Sequence, residues 1–317
     1  MFTALRYFHE TVRAGSIRRA AEALHVSPSS VSRQIMSLER EFDVPLLERT
    51  GQGVRLTSAG ELLARHTDRT FRDLGRVRGW IDDLKGLRRG HVVAYVIEGM
   101  VAEFVPSILT TFRSRYPAIT FSLATAATDR LLEALIRDEA DIAVVYNAPE
   151  RSDIVTVLEY VEPLRCLVPP GHPLAGHAEL TVRDLVGEPL ALPDPTFGLR
   201  RMIDAGFRRH NCVPTVAIDT NSLELTKQAA LSGMAISFRP AVTTLTEAEA
   251  AAITVVPVRA DEIAPGRTAL CVHRDRELPF AAAEFLRLMV LKFTELADRG
   301  VGEITSQSVA FSATHWR

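Results

Sequence analysis

The sequence has only three cysteines and no long hydrophobic run. Cys166, Cys212 and Cys271 are odd in number and widely spaced, so they indicate neither a disulfide framework nor a zinc site. No apolar run is long enough to span a bilayer, and the first residues lack the basic and then apolar pattern of a signal peptide. We therefore expect a cytoplasmic protein with no membrane partner.

Motifs of enzyme chemistry are missing as well. The sequence contains no GxSxG, HExxH or P-loop motif, and no GxGxxG between a predicted strand and a predicted helix. Its nine histidines are scattered, and His172 in the segment GHPLA is more typical of a structural residue than of a catalytic one. The sequence thus predicts a protein that is not an enzyme and has no catalytic residue, cofactor or metal.

Charge divides the 317 residues into two parts. Residues 1–90 contain 16 Lys and Arg against 11 Asp and Glu, whereas residues 91–317 contain 21 against 28. A basic N-terminal part joined to an acidic remainder is expected when only the first part binds nucleic acid. The chain length itself indicates roughly two domains with substantial cores.

Two short helices joined by a tight turn are predicted between Ser16 and Leu47. The second begins with Ser27, which can cap free backbone amides, and Pro28, which is well tolerated at the first helical position. Short hydroxyls and an arginine on its outer face suit contact with DNA phosphates and base edges. The residues predicted to bind DNA on this helix are Ser27, Pro28, Ser29, Ser30, Ser32, Arg33 and Met36. From this stretch alone, a helical hairpin with a solvated polar face explains the pattern equally well.

A small β-wing is predicted directly after the helix pair. Two glycines mark a turn between the short segments Leu46–Thr50 and Gly53–Leu56. Arg49 and Arg55 flank this turn, where they could reach DNA phosphates. A role as solvated surface arginines is nearly as compatible with their positions.

Several short motifs recur in a familiar order and spacing. Ser16–Ala21 with Leu24, then SPSSVSRQI, SLE, VPLLER and RLTSAG, resemble the N-terminal winged helix-turn-helix of LysR-type transcriptional regulators. The match runs nearly without gaps over residues 2–65. The resemblance implies a regulator that binds double-stranded DNA at a near-palindromic promoter site.

The sequence departs from the family pattern at four positions. The family commonly has glutamine where Pro28 stands, basic residues where Met36 and Ser37 stand, and phenylalanine where Leu47 stands. The Leu47 change only repacks the core, whereas the others remove a polar base contact and some attraction for phosphates. The resemblance therefore predicts the docking mode but leaves the base code open.

A long helix is predicted from Thr57 to about Arg88. Apolar residues and threonines recur along it at alternating spacings of four and three residues, which is the heptad pattern of a coiled coil. Charged residues surround this seam. We expect the seam to pair with a second copy of the chain through Leu63, Leu74, Val77, Ile81 and Leu84, with Thr67 and Thr70 as its weaker members. The alternative is a long helix folded against its own chain, and the family resemblance favours the dimer.

From His91 onwards, short β-branched runs alternate with helices, which predicts parallel strands covered by helices. The segments GHPLA and SGMAISFRP resemble the effector-binding region of the same family, two α/β lobes similar to type II periplasmic binding proteins. The expected fold is α+β and multidomain. Its parts are a winged helix-turn-helix (1–58), a linker helix with hinge (59–90), an effector-binding domain (91–297, with lobe I at 91–162 and 268–297 and lobe II at 163–267) and a flexible tail (298–317).

In a two-lobed α/β fold, ligands bind at the carboxyl ends of strands near the starts of the following helices. This rule selects residues with aromatic rings, side-chain amides, hydroxyls and free backbone amides at helix starts. Together they would form a site suited to a small polar organic molecule. Loop solvation or helix capping is an equal alternative for each single residue. The predicted effector contacts are Glu98, Gly99, Met100, Val101, Thr125, Thr128, Tyr146, Asn147, Phe197, Gly198, Asn221, Ser222, Phe238 and Arg239.

Glu98 differs in charge from the rest of this set. Helix starts attract anions, so a carboxylate side chain at this place would repel a carboxylate ligand. It would pair instead with an amine of the ligand, or with Arg239 across the cleft. We therefore hypothesise an effector with a cationic or amino group.

The sequence predicts a ligand-responsive DNA-binding regulator that forms a homodimer or homotetramer, with RNA polymerase as a further candidate partner. The alternative is a small-molecule receptor of the solute-binding class whose N-terminal helices serve only assembly. The absent signal peptide and the wing favour the regulator.

Overall fold

A computed structural model describes residues 1–50, 53–84, 89–102, 104–240, 245–298 and 302–307. Within these ranges, the side chains of residues 49, 50, 82–84, 306 and 307 are not described. The predicted roles of Arg49 in DNA binding and Leu84 in dimerisation therefore lie outside the described residues. The chain divides into two compact units, Met1–Arg78 and Gly79–Arg317.

The N-terminal unit consists of helices and one small hairpin. Its elements are α1 (Phe2–Ala14), α2 (Ile17–Leu24), α3 (Pro28–Phe42), β1 (Leu47–Thr50), β2 (Gly53–Leu56) and the part of α4 (Ser58–Leu84) up to Arg78. Two small apolar clusters hold it together, one around Phe8 and Leu38 and the other around Ala21, Val31 and Ile35. These buried residues follow the helical period of the sequence, so the packing fixes which face of α3 is exposed.

The start of α3 forms as its sequence predicts. The Oγ of Ser27 accepts a hydrogen bond from the Ser30 amide at 3.2 Å, and Pro28 occupies the first helical position. An αL residue, Asp43, ends the helix.

The hairpin β1–β2 is the predicted wing, and backbone contacts attach it to the helices. Leu47 pairs with Leu56 in the antiparallel register, and the Val54 amide donates to the Gly15 carbonyl at 3.2 Å. A Cβ atom on Gly53 would overlap that carbonyl oxygen, so the wing approaches the α1–α2 turn this closely only with glycine here. The carboxylate of Glu39 accepts hydrogen bonds from the amides of Leu46 (2.9 Å) and Leu47 (3.2 Å).

The first sheet of the C-terminal unit has six strands in the order β13-β6-β12-β5-β3-β4. They are β3 (Gly90–Val96), β4 (Ile119–Thr125), β5 (Ile142–Tyr146), β6 (Ile154–Glu162), β12 (Gly266–His273) and β13 (Glu303–Gln307). Its helices are α5 (Phe104–Arg115), α6 (Thr128–Ile136) and α10 (Phe280–Asp298). We call these elements lobe I.

The second sheet has five strands in the order β11-β7-β10-β8-β9, and we call its elements lobe II. The strands are β7 (Leu164–Val168), β8 (Pro189–Pro193), β9 (Thr215–Thr220), β10 (Ile236–Pro240) and β11 (Thr254–Pro257). The helices are α7 (Gly198–Arg209), α8 (Leu223–Leu231) and α9 (Glu247–Ala252). The chain passes between the lobes after β6 and again before β12.

Both sheets are mixed rather than purely parallel. The pairs β3–β4, β3–β5, β8–β9 and β8–β10 are parallel, whereas β12 runs antiparallel to β5 and β6, and β7 runs antiparallel to β10 and β11. The parallel pairs place the carboxyl ends of β3, β4 and β5 at one edge of lobe I, as the sequence predicts. The antiparallel strands are the ones that carry the chain between lobes.

The predicted flexible tail is wrong for Glu303–Gln307, which form the edge strand β13. This strand pairs antiparallel with β6, Ile304 packs on the lobe I core, and Thr305 donates to Glu159 at 3.0 Å. Five residues are too few to show a period in the sequence, and the free edge of β6 supplies the hydrogen bonds that order them. In the described part of the chain, no helix has the length and apolarity needed to cross a membrane.

Replacing Glu39 with alanine should destabilise the N-terminal unit. The amides of Leu46 and Leu47 would lose their acceptor, and an unsatisfied buried donor costs about 1–3 kcal/mol. Urea denaturation of the full chain, followed by circular dichroism, measures the loss. Glu41→Ala is the control, because Glu41 is exposed on the same helix and forms no side-chain hydrogen bond or ion pair among the described residues. Equal destabilisation by both substitutions would contradict the role of Glu39.

Candidate functional site

The exposed face of α3 presents the residues predicted to bind DNA. Ser29, Arg33 and Met36 are exposed, and Ser30 and Ser32 are half-buried beside them. The guanidinium of Arg33 donates to the Oγ of Ser30 at 3.3 Å. The hydroxyls of Ser29 and Ser30 each lie 2.9 Å from that of Ser27. This start of α3 therefore offers a cationic group with a hydroxyl cluster, which suits phosphates and base edges.

Two further residues belong to this surface. Arg55 on β2 is exposed on the wing. Arg40 was missed by the sequence analysis, although its spacing of four from Met36 places it on the same face of α3. Its Nε donates to the Met36 carbonyl at 3.2 Å, which holds the side chain along that face.

Only the later residues of the seam predicted along α4 are exposed in the structure. Leu63 is partly buried against the Phe8 cluster of its own unit, and Thr67 is buried, so both side chains have contacts within the chain. The contact of Leu63 with a second copy stays a prediction. Leu74, Val77 and Ile81 are 44%, 43% and 45% exposed. The open part of the seam therefore begins at Leu74, because α1 covers the earlier turns.

A cleft lies between lobes I and II at the carboxyl ends of β3 and β4. A void of about 310 Å³ there is lined by Glu98, Thr125, Ala126, Ala127, Asp194, Thr196, Phe197 and Asn221. Glu98, Thr125, Phe197 and Asn221 are sequence-predicted contacts. The others were missed, although Ala126 and Ala127 follow the predicted Thr125 and could have been inferred from the same rule.

The lining of this void is acidic and polar. Among the described residues, its ionisable members are Glu98 and Asp194, and it contains no lysine or arginine. The carboxylate of Asp194 accepts hydrogen bonds from the amide (2.8 Å) and the hydroxyl of Thr196. Two hydroxyls, one amide and one aromatic ring complete the surface, which suits a small ligand with hydrogen-bond donors.

Glu98 has partners that the sequence did not reveal. Its carboxylate accepts hydrogen bonds from the Oγ of Ser222 (3.0 Å) and from the amides of Leu223 (2.8 Å) and Glu224 (3.3 Å). The expectation of an ion pair with Arg239 is therefore wrong, because the start of α8 takes the carboxylate. The two carboxylate oxygens reach from lobe I to lobe II.

Further contacts join the lobes beside the void. Arg201 on α7 donates to Asp129 on α6 at 3.1 Å, and the Nδ2 of Asn147 lies 2.9 Å from the sulfur of Met202. A Cβ atom on Gly198 would overlap the carbonyl oxygen of Tyr146, so glycine is needed where the start of α7 meets lobe I. These contacts connect the two lobes beside the void.

Three predicted contacts, Thr128, Tyr146 and Asn147, stabilise lobe I and do not line the void. The hydroxyl of Thr128 donates to the Tyr146 carbonyl at 2.8 Å, and Asn147 accepts from the Arg267 amide at 2.9 Å. Burial raises the pKa of the Tyr146 phenol well above its ordinary value. These residues were predicted from their places after strands, but Thr128 and Tyr146 are buried in lobe I, and Asn147 contacts β12 and Met202 rather than the void.

The remaining predicted contacts lie away from this 310 Å³ void. Gly99, Phe238 and Arg239 line a separate void of about 80 Å³ on the other side of Glu98. Burial lowers the pKa of Arg239 to about 10, so it remains charged at neutral pH. Met100 is buried and Val101 is exposed, and neither lines a void with the others.

The buried cysteines have no reactive character. Burial raises the pKa of the Cys271 thiol to about 12 and that of Cys166 still further. Both are therefore protonated and weakly nucleophilic at neutral pH.

An exposed helix-turn-helix face with a wing, joined in one chain to a two-lobed ligand cleft, defines a DNA-binding regulator controlled by a small molecule. Family models agree with both halves. Residues 2–61 match the bacterial regulatory helix-turn-helix protein of the lysR family, and residues 85–293 match the LysR substrate binding domain. The chain belongs to the LysR family of transcriptional regulators, which decides against a solute receptor without a DNA role.

Individual relatives share this organisation. The HTH-type transcriptional activator CmpR of Synechocystis sp. (strain ATCC 27184 / PCC 6803 / Kazusa) is 31% identical over 73% of this chain and 75% of its own length. A full-length OxyR variant from Pseudomonas aeruginosa aligns with a TM-score of 0.71 at 20% identity, covering 97% of this chain and 98% of that one. Full-length CbnR complexed with its target DNA aligns with a TM-score of 0.67 at 20% identity, covering 92% and 99%. At these identities the two structures show a shared fold.

Proposed function

We propose that this LysR-type regulator binds a near-palindromic promoter site through α3 and the wing, as a homodimer or homotetramer. The observation that supports the DNA contact is the open start of α3, where Ser29, Ser32 and Arg33 stand free of the apolar core. The likeness to CbnR, solved with its target DNA, supports the same docking mode. Promoter DNA as partner also supports a cytoplasmic location and RNA polymerase as a further partner.

The proposed self-association uses α4. Leu74, Val77 and Ile81 follow the spacing of a heptad seam and are exposed in the single chain, although each is apolar. Burial of such a stripe against a second copy is favourable because it removes apolar surface from water. A two-fold pair would present two copies of α3 to two half-sites.

The proposed effector is a small organic molecule with an amino or other cationic group. The support is the lining of the 310 Å³ void, whose described residues provide two carboxylates, hydroxyls and an amide but no basic side chain. A cation gains from both carboxylates, whereas an anion is repelled by them. Binding between the lobes would modulate DNA binding by favouring one lobe arrangement.

Replacing Arg33 with alanine should weaken binding to the DNA upstream of the gene that encodes this chain by about 10- to 100-fold. The reason is that a base or phosphate contact is worth about 1–3 kcal/mol. Gel shift at a stated salt concentration measures this. Arg137→Ala is the charge-matched control, because Arg137 is exposed on lobe I and pairs only with Glu133 among the described residues. Equal losses in both variants would contradict specific contact by α3.

The double substitution Val77→Glu and Ile81→Glu should weaken dimerisation at least about 100-fold, since it places two charges in an apolar interface. Sedimentation velocity should then show the 34.9 kDa single chain at concentrations where the wild type is larger. Leu62→Glu is the matched control, because Leu62 is exposed on the same helix outside the seam. A wild type that sediments as a single chain would overturn the proposal.

Titration calorimetry of the full chain tests the effector class. Small amines should bind more tightly than carboxylates of the same carbon skeleton, because the void lining is acidic. Tighter binding of the carboxylates would exclude the proposed class.

A further inference from the structure

Glu98 and the start of α8 form a contact that resembles a bound ligand more than a packing contact. Glu98 belongs to lobe I, in a short 3-10 turn after β3, and its three donors belong to lobe II. The partners are 124 to 126 residues apart in the sequence. A single side chain thus spans the cleft and connects both lobes through three hydrogen bonds.

The start of α8 has the features of an anion-binding group. The first amides of a helix have no acceptor within the helix, and the helix dipole favours negative charge near them. Ser222 caps the helix by accepting from the Leu225 amide at 3.3 Å, which leaves its own proton for Glu98. Leu223 and Glu224 then direct their amides to the same carboxylate.

No cation takes part in this contact. In the part of the chain that the structure describes, Glu98 forms no ion pair with lysine or arginine. The nearest cation on α8, Lys227, is held by Glu224 and Glu249 at 2.9 and 2.6 Å. Among the described residues, the hydrogen bonds to the Glu98 carboxylate therefore come from the start of α8 and from Ser222.

We infer that Glu98 is a tethered ligand of α8, which holds the lobes together without an effector and keeps free carboxylates from this helix start. This inference deepens the proposed function, because it identifies the residue that sets which effectors the cleft accepts. An effector without a carboxylate fills the neighbouring void and leaves the contact intact. An effector that carries a carboxylate has to displace the Glu98 side chain from the start of α8.

Chemical rescue of Glu98→Ala in the full chain tests the inference. Hydrogen exchange of the Leu223 amide, measured by mass spectrometry and corrected for the intrinsic rate, should become about tenfold faster when the carboxylate is removed. Added acetate should restore most of the protection in a saturable manner, because its carboxylate fits the space that Glu98 leaves. Acetamide has the same shape without the charge and should restore little.

Two further variants separate a bound carboxylate from a general loss of structure. Glu98→Gln keeps the side-chain volume, so exchange should rise less than in Glu98→Ala and acetate should have no effect. Glu224→Ala removes a carboxylate from the same helix turn that contacts only Lys227 and Gln228 among the described residues, so acetate should again have no effect. Unchanged exchange in Glu98→Ala, or failure of acetate to slow it, would overturn the inference.

Failure here and failure of the proposed function give different results. The exchange measurement needs neither DNA nor an effector. Unchanged exchange in Glu98→Ala would overturn the tethered contact without bearing on the loss of DNA binding expected in Arg33→Ala. Loss of DNA binding in Arg33→Ala would in turn leave the exchange of the Leu223 amide unaltered.

Discussion

The unpaired amides at helix starts are the constraint on which both functional surfaces depend. At α3 the chain satisfies them locally, because Ser27 accepts from Ser30 and Pro28 has no amide hydrogen to satisfy. That leaves the hydroxyls and Arg33 facing outward for another molecule. At α8 the amides of Leu223 and Glu224 are satisfied from the other lobe by Glu98. The cap of α3 by Ser27 thus leaves the outer face of that helix exposed. The amides of α8 are instead bound by Glu98 from lobe I, which connects the two sides of the cleft.

Local patterns of the sequence were sufficient to predict the structure of the candidate DNA-binding surface. The Ser27–Pro28 start, the spacing of Val31 and Ile35, and the glycines of the wing each act within a few residues, so each could be read before the fold was known. The rule that ligands lie at the carboxyl ends of strands also found Glu98, Thr125, Phe197 and Asn221, because it depends only on strand order. Those four line the void.

Contacts between distant residues could not be predicted in this way. The partners of Glu98 follow it by more than 120 residues, and nothing near Glu98 in the sequence indicates the start of α8. Leu63 fits the heptad as well as Leu74 does, yet α1 covers only the first. Residues 303–307 form a strand because β6 has a free edge, which is a property of the sheet and not of those five residues.

The contact of Glu98 also limits what an effector can do. A ligand shifts an equilibrium between two arrangements only by its difference in affinity for them. Because Glu98 already connects the lobes, a molecule that only adds to this contact shifts the equilibrium little. A larger shift requires either a molecule in the 310 Å³ void that binds one arrangement of the lobes more tightly than the other, or one that competes with Glu98 for the amides of α8. The acidic lining disfavours the second route for simple anions, so the proposed cationic effector would act by the first route and leave Glu98 in place.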